Sequence, residues 1–239
     1  MTVLGYALIA ALGNVVGGIA VARGARLGLR VIEIMVALGA GFMLSVAIIE
    51  VLPEAFSRGG HNAAVFVLIG YLLVHLSQHT ATQHFHFGEE THAVSEVAGM
   101  SALVGLLLHT FFDGVAIASG FAVNRELGIL LFLAIFLHKL PEGVTISSLQ
   151  IAGGRRPAQA VGSAALLGVA TIVGVLATDA FAFLATHGLA LAGGVTLYVA
   201  ASNLVPEFQG KRGWKIPGAF FLGAAAFFIT KELLDRALG

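Results

Sequence analysis

His109-Thr110-Phe-Phe-Asp113-Gly114-Val115-Ala-Ile117-Ala-Ser119 and His138-Lys139-Leu140-Pro141-Glu142-Gly143-Val144-Thr-Ile146-Ser-Ser148 are two copies of one phrase, H-x-x-x-(D/E)-G-V-x-I-x-S. Positions i and i+4 share a helix face, so each copy points an imidazole and a carboxylate the same way. Both copies follow strongly apolar runs, Leu103 to Leu108 and Ile129 to Leu137. An ionisable side chain at the centre of a membrane helix costs roughly 2.5–3.5 kcal/mol on insertion scales, so such residues face a bundle interior and find partners there.

The rest of the chain supports that setting. Hydrophobic residues make up 58% and charged residues 11%, with a mean hydropathy of +0.94. Soluble domains carry roughly 25% charged residues. The composition predicts an all-α polytopic membrane protein, residues 1–239 forming a single transmembrane domain with no large soluble unit. Cysteine is absent, which excludes thiolate ligands and thiol chemistry and leaves nitrogen, oxygen and thioether donors. No Lys/Arg run suggests nucleic acid. Val3 to Ala22 is long enough to span, with no basic residue ahead of it, and reads as a span and not as a cleaved signal peptide.

Apolar runs of about twenty residues predict eight transmembrane helices, near 3–22, 31–52, 63–79, 98–121, 127–150, 158–185, 188–206 and 217–235. The sixth and seventh are divided at His187 and Gly188. Arg23, Arg26, Arg30, Arg155, Arg156, Lys211, Arg212 and Lys215 fall in alternate loops, against Arg58, Arg125, Lys231 and Arg236 on the opposite side. The excess of basic residues on one side puts those loops in the cytoplasm and both termini outside.

Residues 80–97 form a cytoplasmic loop on this reading. It has no Lys or Arg, and His84, His86 and His92, with His79 just before it, offer metal-capturing imidazoles; a polar connector rich in His is the other reading. A second echo joins Gly41 to Phe56 with Gly194 to Phe208, each containing a Pro-Glu pair, Pro53-Glu54 and Pro206-Glu207. The second span thus matches the seventh as the fourth matches the fifth, which predicts inverted internal repeats around a midplane site.

Two imidazoles and two carboxylates from facing helices make a mixed N/O site suited to Zn2+ or to Fe2+, Mn2+, Cd2+, Co2+ or Ni2+. The alternative is that each His simply hydrogen-bonds its neighbouring carboxylate. Pro141 leaves the carbonyl around Leu137 without an N–H partner, and Gly114 and Gly143 thin the helices beside the carboxylates. Lys139, at the same depth, either salt-bridges Asp113 or Glu142 or supplies a fixed charge where a second metal would sit. The second role is the one favoured here.

These residues resemble the ZIP family of divalent-metal transporters over essentially the whole chain. The motifs that carry the resemblance are His109-x-x-x-Asp113-Gly114 and His138-Lys139-Leu140-Pro141-Glu142-Gly143. The resemblance implies eight helices, outside termini, a homodimer, and a primary metal site of His109, Asp113, His138 and Glu142, with Met43 of the second helix as a further ligand. Members with two adjacent metals carry Asn after the first His and an acid after the second; Thr110 and Lys139 stand there, and Thr171 stands where some members have a sixth-helix Glu. Phe112 replaces a proline found in many helix-four motifs. Along the implied path Glu50, Glu54 and Asp179 lie toward the outside, and His75, His79, Asn203 and Glu207 toward the cytoplasm.

The expected activity is therefore transport of a divalent metal ion, Zn2+ first among them, into the cytoplasm by alternating access across the cell membrane, with no cofactor and no enzymatic step. An intramembrane metal-dependent hydrolase is the alternative. The sequence has no H-E-x-x-H to support it.

Overall fold

In lipid every backbone N–H and C=O must be satisfied within the chain, so long apolar runs fold as helices. The computed structural model describes residues 1–24, 29–81, 96–206 and 213–238. Among them the regular elements are helical: α1 (Val3–Ala22), α2 (Leu29–Val46), α3 (Leu52–Ala81), α4 (Glu96–Val123), α5 (Arg125–Ala152), α6 (Pro157–Ala180), α7 (Ala182–Tyr198) and α8 (Lys215–Leu238). Two π-helical segments, Ala47–Val51 and Val199–Leu204, continue α2 and α7. Seven helical stretches are long and apolar enough to cross a membrane, one of them the 48-residue run Arg30–Ser77.

That run changes direction. Gly193 of α7 lies against Val51 and Leu52, and its neighbour Gly194 against the Val67 carbonyl and Tyr71. A straight helix would separate Leu52 from Val67 by ~22 Å. The reversal falls at Gly60, whose φ of 53° and ψ of −137° belong to a region only glycine adopts readily. The expected second and third spans are therefore joined by a glycine break within helical structure and not by a loop.

Another boundary differs from expectation. α6 ends at Ala180, Phe181 is extended (φ −115°, ψ 113°), and α7 starts at Ala182, so the break lies before His187 and Gly188. His187 sits inside α7 with its ring stacked on Phe66 at 4.0 Å. An imidazole that packs on an aromatic face does not interrupt a helix.

The inner faces are marked by size. α1 buries Ala7, Ala10, Ala11, Gly13, Asn14, Gly17 and Gly18 and exposes Leu4, Leu8, Leu12 and Val16. α6 likewise buries Ala160, Ala164, Gly168 and Gly174 and exposes Leu166, Val169, Val173 and Leu176. With lipid as apolar as leucine, close backbone approach decides which stripe turns inward. The closest helix pairs are α1 with α5 and α6, α4 with α6 and α5, α2 with α8, and α3 with α7. Along α1, Gly13, Gly17 and Gly18 meet Lys139, Leu140 with Val144, and Ser147 in that order, so α1 and α5 run parallel. The main apolar core gathers Met43, Val46, Val51, Ile117, Leu130, Leu131, Ile135, Leu191, Tyr198 and Phe227.

Candidate metal centre

The hairpin of α4 and α5 builds the centre. A single residue, Asn124, separates the helices; its side-chain oxygen accepts a hydrogen bond from the Leu127 N–H at 2.7 Å and caps α5. So tight a turn forces antiparallel neighbours, and the register sets His109 opposite Glu142 and Asp113 opposite His138. His109 Nε2 lies 3.4 Å from Asp113 Oδ2 and 4.0 Å from Glu142 Oε1. His138 Nε2 lies 3.5 Å from Asp113 Oδ2, and the two imidazole centroids are 5.5 Å apart. All four residues are buried, and one ligand atom from each falls within a span of 4.8 Å. Ligands around one tetrahedral metal stand ~3.4 Å apart at bonds of ~2.0–2.2 Å, so a contraction of about 1.4 Å across the widest pair would close the set on an ion.

Protonation follows from the partners. His138 Nδ1 sits 3.0 Å from the Ala134 carbonyl. A carbonyl only accepts, so Nδ1 donates to it and Nε2 is the ring nitrogen turned toward the cluster. That atom has no hydrogen-bond partner, and neither has Glu142 Oε1. Nε2 instead faces the carboxylate oxygen of Asp113 at 3.5 Å, where a cation, proton or metal, answers the buried carboxylate.

Lys139 supplies the holding side. Its Nζ donates to Asp113 Oδ2 at 2.6 Å and to Glu142 Oε2 at 2.9 Å, and the side chain is fully buried. Of the two roles weighed for this lysine, the structure shows the salt bridge, made to both carboxylates and not to one. α5 remains helical through Pro141, and Thr145 donates to the Pro141 carbonyl at 2.8 Å.

The other candidates divide. Met43 is fully buried in the apolar core on α2, which packs on α5. Thr110 and Thr171 are also fully buried and turn their hydroxyls onto their own helices, Thr110 donating to the Leu106 and Leu107 carbonyls and Thr171 to that of Leu167. Glu50 pairs with Lys231 at 2.8 Å, and Glu54 with Arg58 at 2.5 Å. Asp179 is exposed near the end of α6. His75 meets Tyr198 edge-on at 5.7 Å, and Asn203 is half-buried in the second π-helical segment. His79 belongs to α3, but its side chain lies outside the described residues, as do His84, His86, His92 and Glu207.

Three residues escape the sequence reading. Asn14 of α1 is fully buried beside Lys139 and Glu142. A lone amide within an apolar span is a signal that was available. Glu126 and Lys231, which join Glu50 in a second ion cluster, lie 105 residues apart in the chain, so their pairing has no local spacing to signal it.

The family profile described as "ZIP Zinc transporter" matches residues 75–231, a range that includes His109, Asp113, His138 and Glu142. The zinc transporter GufA of Myxococcus xanthus is 31% identical over 212 residues, covering 84% of this chain and 82% of its own length. The chain belongs to the ZIP zinc transporter family. Two other relatives are zinc transporter foi of Drosophila melanogaster, 31% identical over 64% of this chain, and zinc transporter SLC39A7 of Sus scrofa, 37% identical over 44%. This chain spans only 22% of the length of either. Membership, with the apolar helices, makes this ZIP protein an integral multi-pass membrane protein. The relatives are named as transporters, and the hydrolase alternative gains no support from them.

Proposed function

We propose that this ZIP protein carries divalent metal ions, Zn2+ foremost, across the bilayer toward the cytoplasm, with His109, Asp113, His138 and Glu142 as the transported ion's midplane ligands. The observation that carries the reading is the convergence of four buried residues, His109, Asp113, His138 and Glu142, with one ligand atom from each within a span of 4.8 Å, in a cluster that already holds one cation on its other side. The relatives, named as zinc transporters, support zinc as cargo; the same donors accept Fe2+, Mn2+, Cd2+, Co2+ or Ni2+. Uptake into proteoliposomes tests it. His138→Ala and Glu142→Ala should each abolish zinc flux while the protein still folds, and retained flux in both would falsify the midplane site.

Eight crossings fit better than seven. α1 and α5 run parallel, which requires an even number of reversals between them, and the fold-back at Gly60 provides the extra one. An inverted repeat has similar support. Gly114 faces the Thr171 carbonyl and Gly174 the Phe111 carbonyl; in the same pattern Gly143 faces the Asn14 carbonyl and Gly17 that of Leu140. The outer pairs repeat it, Gly41 with Phe220 and Gly223 with Leu38, Gly194 with Val67 and Gly70 with Leu191. In every case the facing carbonyl belongs to the residue three before the partner glycine. This matches α1 to α6, α2 to α7, α3 to α8 and α4 to α5, and the π-helical segments before Pro53 and Pro206 follow the same correspondence. Such a repeat suits alternating access around a central site.

Lys139 holds the place of a second metal, so the centre takes one ion. Metal stoichiometry of purified Lys139→Asp should rise from one to two, and an unchanged count sinks the idea. The remaining assignments stand with this reading: Met43 as a further ligand, Glu50, Glu54 and Asp179 on the outer path, His75, His79, Asn203 and Glu207 on the inner one, capture by His84, His86 and His92, outside termini in the cell membrane, and a homodimer.

A further inference from the structure

We propose that Asn14 is a specificity-determining residue of the metal centre: it restricts Glu142 to one-oxygen ligation and so favours small four-coordinate ions over larger ones that take more oxygen ligands. The inference rests on the midplane site proposed above. Asn14 approaches two groups that can only accept, the Lys139 carbonyl and Glu142 Oε2, so the amide nitrogen must face them. In that orientation it donates to the carbonyl at 2.5 Å and to Oε2 at 3.2 Å. Both N–H groups are then used. Oε2 also accepts from Lys139 Nζ at 2.9 Å, so it has two donors and Oε1 has none.

The difference between the two oxygens has a chemical consequence. Oε1 points to His109 Nε2 at 4.0 Å, on the ligand side. Bidentate ligation would need Oε2 to turn to the metal and give up both donors, one of them charged. One oxygen from Glu142, one from Asp113 and two imidazole nitrogens make four nitrogen and oxygen ligands, the set zinc prefers, and the Met43 thioether adds no oxygen to it. Mn2+ favours more oxygen ligands in a larger shell. Asn14 itself has no freedom to drift. It is fully buried, and its own carbonyl sits where a Cβ on Gly143 would collide with it.

Asn14→Leu keeps the volume and removes the donor. Zn2+ and Mn2+ uptake are measured in competition in proteoliposomes carrying wild type, Asn14→Leu, Asn14→Ala and His138→Ala. The proposal expects the Mn2+ to Zn2+ flux ratio to rise by about tenfold or more in Asn14→Leu, the size of one lost hydrogen bond to a charged group. Asn14→Ala supplies the same measurement if the leucine variant does not insert. A smaller change in the ratio, or equal loss of both fluxes in both variants, overturns the proposal, because a packing role lowers all metals alike. Retained zinc flux in His138→Ala overturns the centre itself. Lost flux there with an unmoved ratio overturns the role of Asn14 alone.

Discussion

Two lysines of this protein do the same thing in different places. Lys139 sets its ammonium between Asp113 and Glu142, on α4 and α5, at 2.6 and 2.9 Å. Lys231 of α8 sets its ammonium between Glu126 of α5 and Glu50, in the π-helical segment after α2, at 3.2 and 2.8 Å. The distances are nearly equal. Exposure is not: the Lys139 side chain is at 0% and Lys231 at 32%. Near water, each charge of the second cluster has an alternative partner, and breaking the cluster strands nothing. Buried, the carboxylates of the first cluster are answered among the described residues by the lysine, the histidines and the Asn14 amide. One arrangement is thus a partly exposed tie between helices, and the other is a buried counter-charge beside the proposed metal ligands.

The largest expected effect breaks the buried cluster. Lys139→Met leaves Asp113 and Glu142 without their ammonium and should cost about 3–5 kcal/mol, the range for removing one partner of a buried pair. Thermal unfolding in detergent reads it, and added Zn2+ should raise the melting temperature of the variant more than that of wild type. An equal metal response in both would mean that lysine and metal do not share the carboxylates. The smallest effect comes from the other lysine. Lys231→Met should change stability by about 0–1 kcal/mol, with a zinc response like that of wild type. A loss as large as that of Lys139→Met would overturn the contrast drawn from exposure.

Much of the centre was legible because its spacing is local. A His and a carboxylate four residues apart share a helix face wherever the helix goes, and two copies in apolar runs had to face inward. The partners from α1 were not legible in that way. Asn14 lies more than a hundred residues before Lys139 and reaches it only because the small residues of α1 let the backbones touch. The π-helical segments and the reversal at Gly60 were missed for a related reason. Where every face is apolar, hydropathy has no period from which helix register or direction can be read, and the break at His187 was assigned to a polar residue that an aromatic neighbour accommodates.

The sequence by itself determined the solvent and the chemistry: apolar runs that must be helices in lipid, donors without sulfur thiolates, and two histidine-carboxylate pairs with one lysine among them. Only the tertiary structure decided which oxygen each donor takes. It set His109 opposite Glu142, gave Lys139 both carboxylates, brought Asn14 against one side of Glu142 and left the other side open. Such choices depend on how closely helices far apart in the chain approach, and that distance is set by the size of the side chains between them.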